Sequence, residues 1–277
     1  MTKPKIHFSH ANSYPSGTYR QFFEFLSRDF EIQALDMHAH NPAYPVRDGW
    51  HTLVQELIDD LLKRYTQPVI LVGHSLGGIL SLMAAAARPD LVRCVVMLDS
   101  PVVAGWRAFA WRVFKRFSFA DRFSPARFSV KRRNVWSSKD EAMRHFASKE
   151  IFAAWAPGVL DDYLNAGLIP HPEGVQLRFS RETETAVYRS LPHHIGNLVE
   201  GEFPVPVGYI AGHRSEENRQ AGLDATRALV GRHFRTMFGG HLFPMESPQL
   251  TAQLVSDLIF QMVGEGVAHE PLARRRA

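Results

Sequence analysis

Apolar positions along the chain alternate between two rhythms. Short runs of branched and apolar residues, the pattern of strands buried in a parallel sheet, occur at residues 5–9, 30–35, 69–72, 91–98, 205–211 and 234–238. Between them apolar residues recur at helical spacing: Tyr19, Phe22, Phe23 and Leu26 within 16–28, then Leu53, Leu57, Ile58, Leu61 and Leu62 within 48–65. An alanine- and leucine-rich run over 79–87 is closed by Pro89, and a last helix is predicted over 249–262. Strand and helix in alternation predict the α/β class, with a mostly parallel sheet of about six strands flanked by helices. The rhythm breaks between Pro101 and about Phe203, where a stretch rich in Trp, Phe and Arg shows helical spacing over 106–117 and 140–155.

The third strand-like run ends in Gly73-His74-Ser75-Leu76-Gly77-Gly78 and passes directly into a helical pattern. A strand-to-helix turn this tight leaves no room for side chains at Gly73 and Gly77, and it lifts the Ser75 oxygen above the sheet. The following helix aims its unpaired amides and positive dipole end at the same spot, so the Leu76 N–H is placed to stabilise an oxyanion. A serine hydroxyl needs an imidazole to take its proton. Among 14 histidines, His241 stands out in Gly239-Gly240-His241, after the last short strand and before the final helix.

These motifs, in this order, resemble the α/β-hydrolase superfamily over nearly the whole chain, beginning at the strand before the oxyanion loop and without the usual leading hairpin. The resemblance implies a nucleophile–acid–histidine order with Ser75 and His241 in the outer roles. It implies a second oxyanion donor from the loop Ser9-His10-Ala11-Asn12-Ser13, where His10-Ala11 replaces the usual His-Gly and Asn12 supplies the N–H, with Ser13 the next candidate. The acid has more than one candidate. The usual spacing after the fifth strand lands on Ser215, which carries no charge; Glu216 fits a loop one residue longer, Glu217 lies one further, and Asp99 closes the fourth strand, where pancreatic-type lipases and certain haloalkane dehalogenases place theirs. The resemblance also makes 104–203 a helical cap on a core formed by 1–103 and 204–277. Trp106, Phe109, Trp111, Phe114, Trp136 and Trp155 then either line an apolar substrate passage or form the cap's own core. His10, Ser13, His74, Trp106, Phe109 and Leu242 are the expected pocket lining, with His10 also suited to bracing its loop. His193 and His194 lack metal-like spacing and read as structural.

Composition narrows the picture. With 277 residues and 45% hydrophobic content the chain can bury one sizeable core. The single cysteine, Cys94, lies in the apolar run Cys94-Val95-Val96-Met97-Leu98, which points to a core residue in a reducing compartment. No apolar leader and no run of about 18 apolar residues occurs, so a cytoplasmic protein without a membrane partner is expected. The net charge of +4 is partly held in Arg274-Arg275-Arg276 and Lys131-Arg132-Arg133, which does not make a nucleic-acid stripe. The expected partner is a small-molecule substrate, bound by a monomer or homodimer with no metal or cofactor. The expected chemistry is serine hydrolysis of a small apolar ester or thioester, EC 3.1.1 in class. A cofactor-free acyltransferase or perhydrolase and a non-catalytic binding protein on the same scaffold are the alternatives.

Overall fold

The computed structural model describes residues 3–116 and 126–268. Nine strands occur among them: β1 (Lys5–Ser9), β2 (Glu31–Ala34), β3 (Val69–His74), β4 (Val92–Leu98), β5 (Val135–Trp136), β6 (Leu168–His171), β7 (Gly174–Leu177), β8 (Val207–Gly212) and β9 (Phe234–Met237). Six form one sheet in the order β2-β1-β3-β4-β8-β9, every pair parallel. Strand order reverses between β1 and β3, which are neighbours in register Ser9 to Gly73. In open α/β sheets the crevice outside the strand ends at such a reversal is where ligands bind. The loop after β1 and the turn after β3 both open onto it.

The sheet is buried on both faces, so its central strands are apolar on successive residues. Ile70 and Val72 of β3, with Cys94, Val96 and Leu98 of β4, face a core that includes Phe22 and Leu26 of the helix Arg20–Leu26 and Val255, Leu258 and Ile259 of the helix Pro248–Ala268. Val69 and Leu71, with Val95 and Met97, face the other core beneath the helices His51–Arg64 and Leu76–Ala87. Each such fully buried aliphatic side chain contributes on the order of 1.5–3 kcal/mol. Cys94 is part of the first core, and burial pushes its thiol up to about 12, as suits an inert packing residue. Among the described residues no helix is long and apolar enough to cross a membrane.

Between β4 and β8 the chain adds no strand to this sheet. The helical expectation for that stretch is incomplete: besides the helices Lys139–Ala147, Val159–Gly167 and Arg181–Arg189 it holds a small antiparallel sheet ordered β5-β7-β6. β6 and β7 are joined through Pro172-Glu173, with His171 opposite Gly174. Gly174 sits at φ 132°, and a Cβ there would overlap the carbonyl oxygens of Trp136 and Ser137. The helix predicted over 140–155 is broken, ending at Ala147 and restarting over Glu150–Ala153. Trp136 and Trp155 are buried with Phe146 and Tyr163, in edge and tilted ring contacts that form the core of this region. Trp106 and Phe109 point the other way, 71% and 58% exposed. The side chains of Trp111 and Phe114 lie outside the described part of the structure.

Candidate active site

Ser75 joins β3 to the helix Leu76–Ala87 with φ 52° and ψ −115°, a conformation that costs a non-glycine residue on the order of 1–3 kcal/mol. Its own N–H is fixed by the Leu98 carbonyl at 3.0 Å. The flanking glycines are required by close approach. A Cβ on Gly73 would overlap the Gly77 carbonyl, and one on Gly77 would overlap the Ser9 carbonyl and press on that of His10. The loop after β1 therefore lies directly against the turn that carries Ser75.

Ser75 Oγ is 3.0 Å from His241 Nε2, and His241 Nδ1 is 2.7 Å from Asp99 Oδ2. Asp99 is fully buried at the end of β4 with φ 47°. Its Oδ1 accepts the Gly212 N–H at 2.7 Å and Asn218 Nδ2 at 2.6 Å, while Oδ2 also accepts the Ser215 hydroxyl. With the His241 ring these make four donors, which fix the carboxylate in place and aim it at the imidazole. Ser215, at the position where the resemblance would place an acid, has become a donor to the carboxylate across the sheet. Glu216 is not brought to His241: it is exposed and paired with Arg219. Glu217 stands nearby, its Oε2 3.7 Å from His241 Nδ1. Burial lowers the pKa of His241, but the Asp99 hydrogen bond and the charges of Glu217 and Asp99 outweigh it and leave the imidazole raised above its ordinary value.

Behind these residues runs a relay of neutral groups. The His241 carbonyl can only accept, so His74 Nε2, at 2.9 Å, carries the proton. His74 Nδ1 then accepts the Tyr19 hydroxyl at 2.7 Å, and that oxygen accepts the Ala11 N–H at 3.1 Å. Burial, with the neighbouring His241, holds His74 well below its usual pKa. His10 is locked in the same way: Nδ1 donates to the Ala11 carbonyl at 2.8 Å and Nε2 accepts the His38 N–H at 2.7 Å. His74 and His10 are thus braces with both ring nitrogens engaged, which corrects their assignment to the pocket lining. Leu242 is likewise core, packed with Phe243 and Met245. Trp106 and Phe109 are largely exposed on the helix Gly105–Arg116.

Asn12 is buried, and its Nδ2 donates to the Glu184 carbonyl at 3.2 Å, tying the loop after β1 to the helix Arg181–Arg189. Ser13 follows at φ 76°, buried, with no protein hydrogen-bond partner for its Oγ. Leu76 opens its helix, where the first N–H groups have no intrahelical acceptor. The Glu184 carboxylate is paired with Arg132 at 2.6 Å, and Arg132 also donates to the Tyr163 hydroxyl at 3.0 Å. Tyr188 lies beside the Asn12 side chain, and burial holds its hydroxyl protonated. Among the described residues the one His and carboxylate grouping close enough to share a metal is Asp99, Glu217 and His241. The Asp99 oxygens already accept four donors and both His241 nitrogens are hydrogen-bonded, a donor set built for proton transfer and not for a cation.

The roles of Tyr19, Ser215, Asn218 and Glu184 escape a reading of the sequence. Tyr19 passes for one more apolar position of a helix, and Ser215, which caps the helix Glu216–Ala221 after β8, and Asn218 within that helix carry no charge.

The model of the alpha/beta hydrolase family matches residues 8–254. An uncharacterized hydrolase of Bacillus subtilis (strain 168), YugF, is 23% identical over 265 residues, 87% of this chain and 85% of that protein. Lipase LipV of Mycobacterium tuberculosis (strain ATCC 25618 / H37Rv) is 32% identical over 108 residues, 39% of this chain and 35% of that one. Among solved structures, that of E-2-(acetamidomethylene)succinate hydrolase superimposes with a TM-score of 0.73 at 20% identity, covering 93% of this chain and 92% of its own. At that identity the likeness speaks for the fold.

Proposed function

The chain belongs to the alpha/beta hydrolase family, and from that premise we propose that it is a serine hydrolase opening an ester or thioester bond through an acyl-enzyme. The carrying observation is the unbroken line from Ser75 Oγ through His241 to Asp99, at 3.0 and 2.7 Å. Ser75 attacks the substrate carbonyl as His241 Nε2 takes its proton, and the resulting imidazolium is stabilised by Asp99. The developing oxyanion is met by the N–H groups of Asn12 and Leu76, one on each side of the crevice. His241 then protonates the departing alcohol or thiol. Water, deprotonated by the same imidazole, attacks the acyl-enzyme; the acid product leaves and the proton returns to Ser75.

In this reading the segment between β4 and β8 is the cap. The case for an apolar passage weakens, because Trp136 and Trp155 pack the cap's own core and Trp106 and Phe109 face solvent. The groups that meet the Asn12 loop from the cap are polar: Glu184 with its partner Arg132, and the hydroxyl of Tyr188. They favour an acyl or alcohol group that carries polar atoms over a long alkyl chain. The printed names of relatives, a lipase and a hydrolase of an acetamidomethylene succinate, are compatible with either.

The test is a covalent serine probe together with a p-nitrophenyl ester series from acetate to laurate. Labelling and turnover that both vanish in Ser75→Ala support the proposal, and the preferred chain length sizes the pocket. A wild-type protein that neither labels nor turns over any ester sinks it and brings forward a non-catalytic binding role. Labelling without hydrolysis points to transfer of the acyl group to an acceptor other than water.

A further inference from the structure

One imidazole nitrogen of this site lies within ion-pair reach of two carboxylates. Glu217 Oε2 stands 3.7 Å from His241 Nδ1, the atom that Asp99 Oδ2 meets at 2.7 Å. The Ser215 hydroxyl, bonded to Asp99 Oδ2, is also 3.3 Å from Glu217 Oε2, and its single proton can serve only one of them. The two acids are held differently. Asp99 is fully buried under four donors, whereas the Glu217 side chain is half exposed and free to follow the ring. The other ionisable groups around His241 add little opposing charge. His74, with its ring centroid 5.1 Å away, is neutral, Tyr188 is protonated, and Glu246 is engaged by the Gly240 N–H and by Arg214.

We propose that Glu217 is a positioning residue: a second carboxylate that stabilises the His241 imidazolium alongside Asp99 and accepts the Nδ1 proton when Asp99 cannot. The proposal rests on the serine-hydrolase reading. In a triad with one acid, an Asp→Asn change offers the ring a donor, fixes the wrong tautomer and lowers the rate by about 10⁴-fold. Here the ring has another acceptor within a small rotation, so the wrong tautomer is not forced.

The experiment compares Asp99→Asn, Glu217→Gln and the double variant, with Glu216→Gln as a control on the same helix. The activity of Asp99→Asn should exceed that of the double variant by at least about tenfold, well short of the loss expected of a lone acid. The acidic limb of the kcat/KM profile should move to lower pH in Glu217→Gln and stay in place in Glu216→Gln, because only Glu217 faces the imidazole. The His241 titration, followed by NMR in a Ser75→Ala background, should shift in the same sense and needs no turnover. If the double variant is no worse than Asp99→Asn, or if Glu217→Gln leaves the titration unchanged, Glu217 is a surface residue and the proposal fails. If wild type turns over nothing, the serine-hydrolase reading fails, while the titration still decides whether the two carboxylates share the ring.

Discussion

The Tyr19 hydroxyl donates to His74 Nδ1 at 2.7 Å and accepts from the Ala11 N–H, so one buried oxygen joins the loop after β1 to the residue that carries the His241 backbone. Tyr19→Phe removes that oxygen without changing the ring packing against Phe8, and it orphans a backbone donor and a ring nitrogen. Leaving such groups unpaired costs about 1–3 kcal/mol. The variant should melt several degrees lower and lose about tenfold in kcat/KM, since both ends of the relay border the reacting atoms. An unchanged kcat/KM with a lowered Tm would mean that the relay serves folding alone.

Gly77 is where the turn that carries Ser75 and the loop after β1 touch. In Gly77→Ala the new methyl group overlaps the Ser9 carbonyl, and backbone on both sides has to give way. The cost of such overpacking is on the order of 1–3 kcal/mol. The functional loss should be larger than that of Tyr19→Phe, about 10²-fold or more in kcat, because the Asn12 and Leu76 amides move apart. Folded Gly77→Ala protein, checked by near-ultraviolet circular dichroism and assayed on the best ester, tests this; near-normal turnover would remove Asn12 from the oxyanion site.

Two tryptophans of the same segment should behave in opposite ways. Trp136 is 1% exposed between Phe146 and His145, and Trp136→Ala opens a cavity expected to cost about 3–5 kcal/mol. Trp106 is 71% exposed and carries an Arg107 guanidinium over its ring, so Trp106→Ala should change stability by no more than about 0.5 kcal/mol. Chemical denaturation of the two variants side by side makes the comparison, and a large loss from Trp106→Ala would place that ring in a buried contact.

The legible parts of the sequence were those that local sterics dictate. Branched apolar runs marked all six strands of the main sheet, and the glycines around Ser75 announced a turn whose close approaches the structure displays at Gly73 and Gly77. What stayed hidden depends on contacts between distant segments. Asp99 and Ser215 lie 116 positions apart, and no spacing rule says that a serine in the usual acid position will donate to a carboxylate at the end of a neighbouring strand. The β6–β7 hairpin was obscured by Pro170 and Pro172, which argue against strands taken singly, although Pro172-Glu173-Gly174 is turn chemistry. The aromatics of 104–203 stayed ambiguous for a similar reason: composition cannot say which face of a short helix meets solvent.

Buried neutral histidines give the fold a pH dependence of its own. Burial, together with the neighbouring His38, depresses His7 to about 3 and holds His10 well below 6.5, and His74 is lowered by burial and by His241. Each folded-state pKa lies below the unfolded value near 6.5, so above that pH neither state binds the proton and nothing is lost. As pH falls below about 6.5 the unfolded chain takes up protons that the folded one refuses, and stability drops by up to about 1.4 kcal/mol per pH unit for each histidine until its folded pKa is reached. His241 acts in the opposite sense: its raised pKa adds stability that is complete below the unfolded value and disappears as pH rises through the folded one, which offsets part of the loss. With His40 and His145 also lowered, chiefly by burial, five depressed histidines stand against one raised, and the melting temperature should decline steadily from pH 7 to pH 5. In Tyr19→Phe the decline should be shallower, because His74 loses the donor that fixes its neutral tautomer and its folded pKa moves towards 6.5. A melting temperature flat across that range would show that these rings can take up protons within the fold.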